Sequence, residues 1–227
     1  MREIVLDTET TGLDPLAGHR VVEVGCVELM NLVATGRSFH AYFNPEMLVP
    51  AGAQEVHGLT DEFLADKPLF ADRLEELLEF IGDAQLVIHN AQFDIGFLNA
   101  ELERAGRTKL VNAYVDTVSV ARRKFPGQRA SLDSLCERFG IDNSSRTKHG
   151  ALLDAELLAE VYLELSGGRQ RDLGLAPDLD PMAGASLVLR PDRPARPARP
   201  HAPSAAELAA HAEFLKQLTA PLWLEPG

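Results

Sequence analysis

The 227-residue sequence is poor in cysteine and contains no long apolar run. Its two cysteines, Cys26 and Cys136, are far apart and match no metal-ligand spacing, which indicates buried thiols in a reducing compartment rather than a disulfide or zinc site. No apolar segment approaches the ~20 residues that a membrane-spanning helix requires, and no secretory signal precedes the first apolar segment. We therefore expect a cytoplasmic protein that does not enter a membrane.

Basic residues are also in deficit. The chain has 22 Lys and Arg against 34 Asp and Glu, a net charge of −12. This balance argues against a large basic footprint for duplex nucleic acid. An enzyme that acts on nucleic acid stays possible, because a site that binds metal ions through carboxylates carries its positive charge on the metals. Such a site needs little basic surface if it holds only a strand end, or if a partner holds the duplex.

The order of apolar segments predicts the fold class. Runs rich in β-branched residues predict strands at residues 2–7, 21–32, 37–43 and 84–89, with a turn at 34–36. Apolar residues at helical spacing, with capping and terminating residues, predict helices at 68–81, 93–105, 114–124, 131–139 and 151–165. Three strands followed by strand–helix alternation predict an α/β fold in which a mixed sheet is flanked by helices.

The composition changes after Gly168. Residues 190–203 (RPDRPARPARPHAP) form a tract of Pro, Arg and Ala that predicts an extended linker. Ser204 and Glu207 then have the spacing of a capping box at the start of a helix. An apolar stripe follows, which consists of Leu208, Leu215, Leu218 and Trp223. Phe214 lies at the edge of this stripe.

So short a helix is marginal on its own, so we expect a docking element rather than a domain. The predicted division is a folded domain at 1–168, a flexible linker at 169–203 and a C-terminal docking segment at 204–227.

A first acidic cluster, DTETTG, occupies residues 7–12 at the end of the first predicted strand. Asp7 and Glu9 point to the same side of a strand because side chains alternate with a period of two. Two adjacent carboxylates repel each other, and a hard cation bound by both offsets this unfavourable electrostatic energy. The alternative for a lone Asp-x-Glu is a polar strand end followed by a turn.

Two further clusters, HNAQFD at 89–94 and HGALLD at 149–154, lie at predicted helix starts. Asp94 is in a first helical turn, where the helix dipole favours a carboxylate. Asp154 is on another helix, with His149 five residues before it. Each acid alone is compatible with an ordinary helix-start residue.

The three clusters together are harder to explain by structural roles alone than by a catalytic site. The ends of strands and the starts of helices converge at one edge of an open α/β sheet. Four acids and a histidine match a need for two divalent ions and one proton acceptor. Two ions ~4 Å apart hold the attacking and leaving oxygens in phosphodiester hydrolysis. A histidine accepts a proton from the attacking water near neutral pH.

These motifs carry a family resemblance. DTETTG, HNAQFD and HGALLD resemble the three exonuclease motifs of the DEDDh family, in particular those of the epsilon (proofreading) subunits of bacterial DNA polymerase III. The resemblance covers residues 2–168 and extends weakly to the C-terminal Leu-Trp. It implies an RNase H-like fold, removal of mispaired nucleotides from single-stranded or frayed 3′ ends of DNA, and two divalent ions (Mg²⁺ or Mn²⁺). It also implies that His149 is the general base and that the metal ligands are Asp7, Glu9, Asp94 and Asp154.

The same resemblance implies residues that contact the substrate. It implies that the terminal nucleotide is cradled by Thr10, Gly12 and Leu13. Val56 and His57 match a segment beside the terminal base and sugar, although His57 also fits a capped turn before a helix. Asn90 and Phe93 match positions that flank the scissile nucleotide, although Phe93 equally fits a core aromatic residue.

Partners are predicted from the end of the chain. Gln170, Leu173 and Leu175 resemble the short peptides by which bacterial replication proteins dock on the sliding clamp; the alternative is an ordinary exit loop. The segment at 204–227 is expected to bind the catalytic (alpha) subunit of the polymerase.

Two other functions compete with proofreading. One is a free-standing DEDDh exonuclease that trims the 3′ ends of RNA or short oligonucleotides, and the other is a catalytically silent scaffold. The linker and tail favour proofreading over the first alternative, and the five intact catalytic positions argue against the second.

Overall fold

The computed structural model describes residues 1–144, 146, 148–168 and 202–218. A five-stranded sheet has the strand order β3-β2-β1-β4-β5. Its strands are β1 (Arg2–Thr10), β2 (Val21–Met30), β3 (Val33–Tyr42), β4 (Gln85–Ile88) and β5 (Tyr114–Asp116). The pairs β1–β2 and β2–β3 are antiparallel, whereas β1–β4 and β4–β5 are parallel. The mixed α/β sheet expected from the sequence is confirmed.

Eight α-helices lie in the described residues. They are α1 (Ala51–His57), α2 (Asp61–Leu64), α3 (Phe70–Ile81), α4 (Ala91–Arg104), α5 (Thr117–Lys124), α6 (Leu132–Phe139), α7 (Ala151–Leu165) and α8 (Ala205–Leu215). The bounds of α7 are those expected, and α6 is capped as expected by Ser131, whose side chain accepts a hydrogen bond from Ser134 N–H. The short α1 and α2 were not expected, because one or two turns are too few to show an apolar period. Among the described residues, no helix combines the length and the apolar character needed to cross a membrane.

Two local expectations are wrong. The turn between β2 and β3 lies at Asn31 and Leu32, not at 34–36, and both residues have positive φ, 53° and 70°. Positive φ at both central residues matches the twist of a two-residue hairpin, and Asn adopts it readily. The expected helix at 114–124 begins instead with β5, which pairs with β4. Asp116 then caps α5 by accepting a hydrogen bond from Val118 N–H. A three-residue strand is too short to show a period of two.

The sheet separates two apolar layers, and β1 contributes to both. Ile4 and Leu6 pack in the layer that includes residues of α3 and α4. Val5, on the opposite face, packs in the layer that includes residues of α5, α6 and α7. Because side chains alternate along a strand, Asp7 and Glu9 continue the face of Val5 towards α7.

A glycine lets the start of α7 approach this face. Gly25 lies opposite Asp7 in the β1–β2 register. A Cβ atom at Gly25 would lie 2.3 Å from the backbone carbon of Ala151 and the backbone nitrogen of Leu152. Only a residue without a side chain permits this contact, which brings the first turn of α7 beside Asp7.

The C-terminal helix α8 begins as the sequence predicts. Ser204 Oγ accepts a hydrogen bond from Glu207 N–H, and a Glu207 carboxylate oxygen accepts one from Ser204 N–H at 2.8 Å. The side chains of Leu208 and Phe214 are exposed by 53% and 55%. Trp223, the clamp-like peptide at 170–175 and the tract at 190–201 lie outside the described residues.

The contact at Gly25 gives a first prediction. We expect Gly25→Ala to lower the free energy of unfolding by about 1–3 kcal/mol, the usual cost of overpacking, because α7 must move off the sheet. Gly96→Ala in α4 is the matched control: its added Cβ meets no atom within 4 Å, so it should keep or slightly raise the stability. Thermal unfolding of both variants measures the difference. Equal melting temperatures for Gly25→Ala and the unmodified protein would contradict the role of this contact.

Candidate active site

Strand β1 and helix α4 supply three of the acids. Asp7 and Glu9 lie on the α7 side of the sheet, and Glu9 is buried. Asp94 is buried in the first turn of α4. The hydroxyl of Thr8 donates a hydrogen bond to Asp94 Oδ1 at 2.7 Å. This bond holds the carboxylate of α4 against the end of β1.

Helix α7 and the loop before it supply the other two residues. Asp154 is buried in the first turn of α7, whereas the side chain of His149 is 47% exposed. His149 Nδ1 lies 3.2 Å from Asp154 Oδ2. The backbone N–H of His149 donates to the carbonyl of Val56, which ties this loop to α1.

The five residues meet in one cavity. A cavity of about 270 Å³ is lined by Asp7, Glu9, Asp94, His149 and Asp154. Ligand atoms of Glu9, His149 and Asp154 lie within 4.8 Å of one another. One strand, two helices and the loop before α7 therefore bring residues separated by up to 147 positions into one cavity.

The electrostatics of this cavity disfavour charged carboxylates. Burial raises the pKa of Asp7 well above its ordinary value, and the charges of Asp94, Glu9 and Asp154 raise it further. Burial raises the pKa of Glu9 from its ordinary value of 4.5 to about 8, with a contribution from the charge of Asp154. Burial likewise raises the pKa of Asp94 to about 7. A bound cation would favour the charged forms of all three acids.

A second cavity of about 570 Å³ adjoins the first, and both are lined by Thr8, Glu9 and Phe93. Six of the seven residues expected to contact substrate line it: Thr10, Gly12, Leu13, Val56, His57 and Phe93. The seventh, Asn90, lines neither of these two cavities. Asn90 precedes α4 with a φ of 70°, and its backbone N–H donates to Asp116.

The walls of the second cavity combine apolar and polar groups. Leu13 and Val56 are apolar and exposed. His57 is buried at the end of α1, where its Nδ1 accepts a hydrogen bond from Leu59 N–H at 3.0 Å. Its Nε2 therefore carries the proton, and that buried atom has no hydrogen-bond partner among the described residues. Phe93 packs against Phe97 of the core, so it serves both the core and the cavity wall.

Comparison with known proteins agrees with this geometry. The model of the RNase_T family, described as exonuclease, matches residues 4–162. The DNA polymerase III subunit epsilon of Rickettsia prowazekii is 47% identical over 222 residues, which cover 96% of this chain and 97% of that protein. The subunit epsilon of Salmonella typhimurium is 47% identical over 219 residues, 92% of this chain and 90% of that protein. The chain belongs to this family of exonucleases.

A solved structure of low sequence identity shares the fold. The nuclease domain of 3′hExo, a DEDDh family member bound to rAMP, matches with a TM-score of 0.64 and 19% identity. The match covers 72% of this chain and 90% of that one. The RNase H-like fold expected from the motifs is confirmed.

The donor set fits the divalent metals that exonucleases of the DEDDh family use. Carboxylate oxygens are the ligands that hard cations such as Mg²⁺ and Mn²⁺ prefer. The acids lie close together and are desolvated, which is costly without a cation. The cavity therefore suits a divalent metal better than it suits an apolar ligand.

Two residues beside this cluster were not predicted from the sequence. Arg146 lines the catalytic cavity, and its side chain is only 8% exposed. Glu23 is buried opposite Glu9 in the β1–β2 register and hydrogen-bonded to His40 Nε2 at 2.7 Å. The register of the hairpin is the signal that would have identified Glu23. A single arginine in a loop carries no comparable signal.

The raised pKa values predict how stability depends on pH when metal is chelated. The folded protein retains a proton on Glu9 up to a pH of about 8, whereas the unfolded chain releases it near 4.5. The folded state therefore binds more protons between these values, and the free energy of unfolding falls as pH rises through this window. Glu9→Gln should make this decline shallower.

Melting temperatures measured in excess EDTA across this pH range test the expectation. Glu137→Gln, an exposed change on α6, is the control and should keep the original slope. An unchanged slope in Glu9→Gln would show that Glu9 does not carry the effect.

Proposed function

We propose that the protein removes mispaired nucleotides from the 3′ ends of DNA, one at a time, and so proofreads for a replicative polymerase. One observation carries this proposal: the cavity of the four acids and His149 adjoins a second cavity through Glu9 and Phe93. A terminal nucleotide in the second cavity would present its phosphodiester bond to the acids. Membership of the exonuclease family supports the reaction, and the similarity to DNA polymerase III epsilon subunits supports the role beside a polymerase.

Two divalent ions, Mg²⁺ or Mn²⁺, would be held by Asp7, Glu9, Asp94 and Asp154 and would neutralise the charge that develops at the phosphate. The chain's own residues prepare this site. Thr8 fixes the carboxylate of Asp94, and Gly25 allows α7 to bring Asp154 beside β1.

His149 is suited to accept the proton of the attacking water. Its ring lies at the cavity beside Asp154 and is half exposed, so water reaches it. Its backbone is anchored to Val56, at the edge of the second cavity. This anchor couples the position of the general base to the wall that contacts the substrate.

The second cavity suits one terminal nucleotide. Leu13 and Val56 offer apolar surface to a base, and His57 Nε2 offers a hydrogen-bond donor to a base or sugar oxygen. A mispaired end enters more readily than a paired one because less pairing energy opposes its separation from the duplex. The net charge of −12 agrees with a site that holds a strand end while a partner holds the duplex.

We also propose how the protein meets its partners. The segment at 204–227 binds the alpha subunit of the polymerase in the cytoplasm, residues 169–203 act as the tether, and Gln170, Leu173 and Leu175 offer a peptide to the sliding clamp. Helix α8 supports the first of these roles, because it presents Leu208 and Phe214 to solvent and is too short to be stable alone. A tether keeps the exonuclease at high effective concentration near the primer end.

Catalysis is tested by two substitutions in the cavity. Asp154→Ala should abolish release of nucleotides from a primer with a 3′ mismatch, because it removes a metal ligand. His149→Ala should lower the rate by about 10²-fold or more, the usual contribution of a general base, and should retain Mn²⁺ binding in calorimetry. Asp83→Ala, at an exposed position outside the cavity, is the control and should be fully active.

Two results would contradict these assignments. Full activity in Asp154→Ala would show that Asp154 is not a required metal ligand and would contradict the assignment of the catalytic site to this carboxylate cluster. Loss of Mn²⁺ binding in a folded His149→Ala variant would make His149 a ligand rather than the base.

The tether is tested by a protein that ends at Gly168. We expect this protein to remain folded and to degrade single-stranded DNA at the rate of the full-length chain, because the acids and both cavities lie within residues 1–168. It should no longer co-elute with the polymerase in size-exclusion chromatography. Trp223→Ala in the full-length chain should also reduce the fraction that co-elutes with the polymerase, since aromatic anchors often dominate such contacts. Unfolding of the shortened protein, or its continued co-elution, is incompatible with the tether model.

A further inference from the structure

A buried arginine occupies the catalytic cavity in addition to the five expected residues. Arg146 Nε and Nη2 donate to the two carboxylate oxygens of Asp154 at 2.5 and 2.6 Å, a bidentate ion pair. Nη2 also lies 2.7 Å from His149 Nδ1, and Nη1 donates to Asp133 Oδ1 at 2.6 Å. Every nitrogen of the guanidinium is thus in contact with a residue of this cavity.

This ion pair uses the same oxygens as a metal ion. A guanidinium that pairs with both oxygens of a carboxylate occupies a lone pair on each and offsets its charge, so the carboxylate attracts a divalent cation less strongly. Both cations cannot use Asp154 fully at once, because they repel each other at short range and the pair is buried. A divalent ion must therefore compete with Arg146 for this carboxylate.

We propose that Arg146 is a positioning residue that competes with the divalent metal for Asp154 and so sets the metal affinity of the site. The inference rests on the proposed function, in which Asp154 is a metal ligand. With the metal bound, the guanidinium leaves Asp154, and with the metal dissociated it returns and neutralises the buried acid.

Asp133 makes this exchange reversible over a short distance. Its carboxylate is on α6 and is 60% exposed, at the outer side of the cavity. A guanidinium released from Asp154 keeps this outer anchor and stays at the cavity mouth. Because this ion pair persists, the guanidinium loses only part of its charge interactions when it moves.

The contact with His149 links the exchange to the proton acceptor. A guanidinium at 2.7 Å from Nδ1 restrains the ring while Arg146 is paired with Asp154. Departure of the guanidinium frees His149 Nδ1 for Asp154 Oδ2, which is already 3.2 Å away. In the paired state His149 Nδ1 contacts both Arg146 and Asp154, and departure of the guanidinium leaves Asp154 as the residue that orients the general base.

The proposal is tested by titrating Mn²⁺ alone into the full-length protein by calorimetry. Arg146→Gln removes the competing charge, so it should bind Mn²⁺ about five- to tenfold more tightly, the lower range of coupling between sites. Arg146→Lys keeps the charge and loses the bidentate fork, so its affinity for Mn²⁺ should lie between those of the unmodified protein and Arg146→Gln. Arg123→Gln, an exposed change of the same charge on α5, should leave the affinity unchanged.

A second readout separates competition from a structural role. In EDTA, Arg146→Gln should have a lower melting temperature than the unmodified protein, because its buried acids lose a counterion. Its gain in melting temperature on addition of Mn²⁺ should be larger. A residue that only supports the fold would lower the melting temperature and weaken metal binding together.

Unchanged or weaker Mn²⁺ binding by folded Arg146→Gln overturns the proposal. If Arg146→Gln does not fold, unchanged or weaker binding by Arg146→Lys overturns it equally. Failure of the unmodified protein to bind Mn²⁺ would instead count against the proposed function, so the two failures are distinguishable.

Discussion

The site depends on the cost of burying several carboxylates that the fold holds close together. Three acids in the cavity have raised pKa values, and the largest cause for each is burial. The fold supports this costly arrangement with rigid elements on both sides of β1. Thr8 fixes Asp94 from the α4 side, and Gly25 admits α7 from the other. Neither α4 nor α7 can relax away from β1 without losing a buried apolar layer.

The need of these buried acids for a cation explains how a strongly acidic protein is suited to an anionic substrate. Positive charge is needed where the phosphodiester bond is cleaved, and divalent cations supply it there at high density. A broad basic surface would add affinity for duplex DNA of any sequence or pairing state. In the proposed function, a site that holds only a strand end would leave discrimination to the ease with which the last base pair opens.

The sequence predicts the parts of the site that follow from local rules. Asp7 and Glu9 share a face because side chains alternate along a strand with a period of two. Strand β1 extends to Thr10, beyond the predicted end at residue 7, and both acids still lie within its regular pairing with β2. The short elements β5 and α2 show no period, so β5 was assigned wrongly and α2 was missed. Contacts such as that of Arg146 with Asp154 depend on the path of a loop, which neither composition nor spacing specifies.

The contacts of Arg146 also follow from the central constraint. A cluster of acids that must bind a metal is unstable without one, and any internal cation that stabilises it also competes with the metal. A lysine would offer one mobile charge, whereas the planar guanidinium pairs with Asp154 and Asp133 together at fixed geometry. Since Asp133 is largely exposed, part of the guanidinium's interaction lies outside the buried cluster and survives its displacement. The arginine can thus be strong enough to stabilise the cavity and still weak enough to yield to an ion that several carboxylates bind at once.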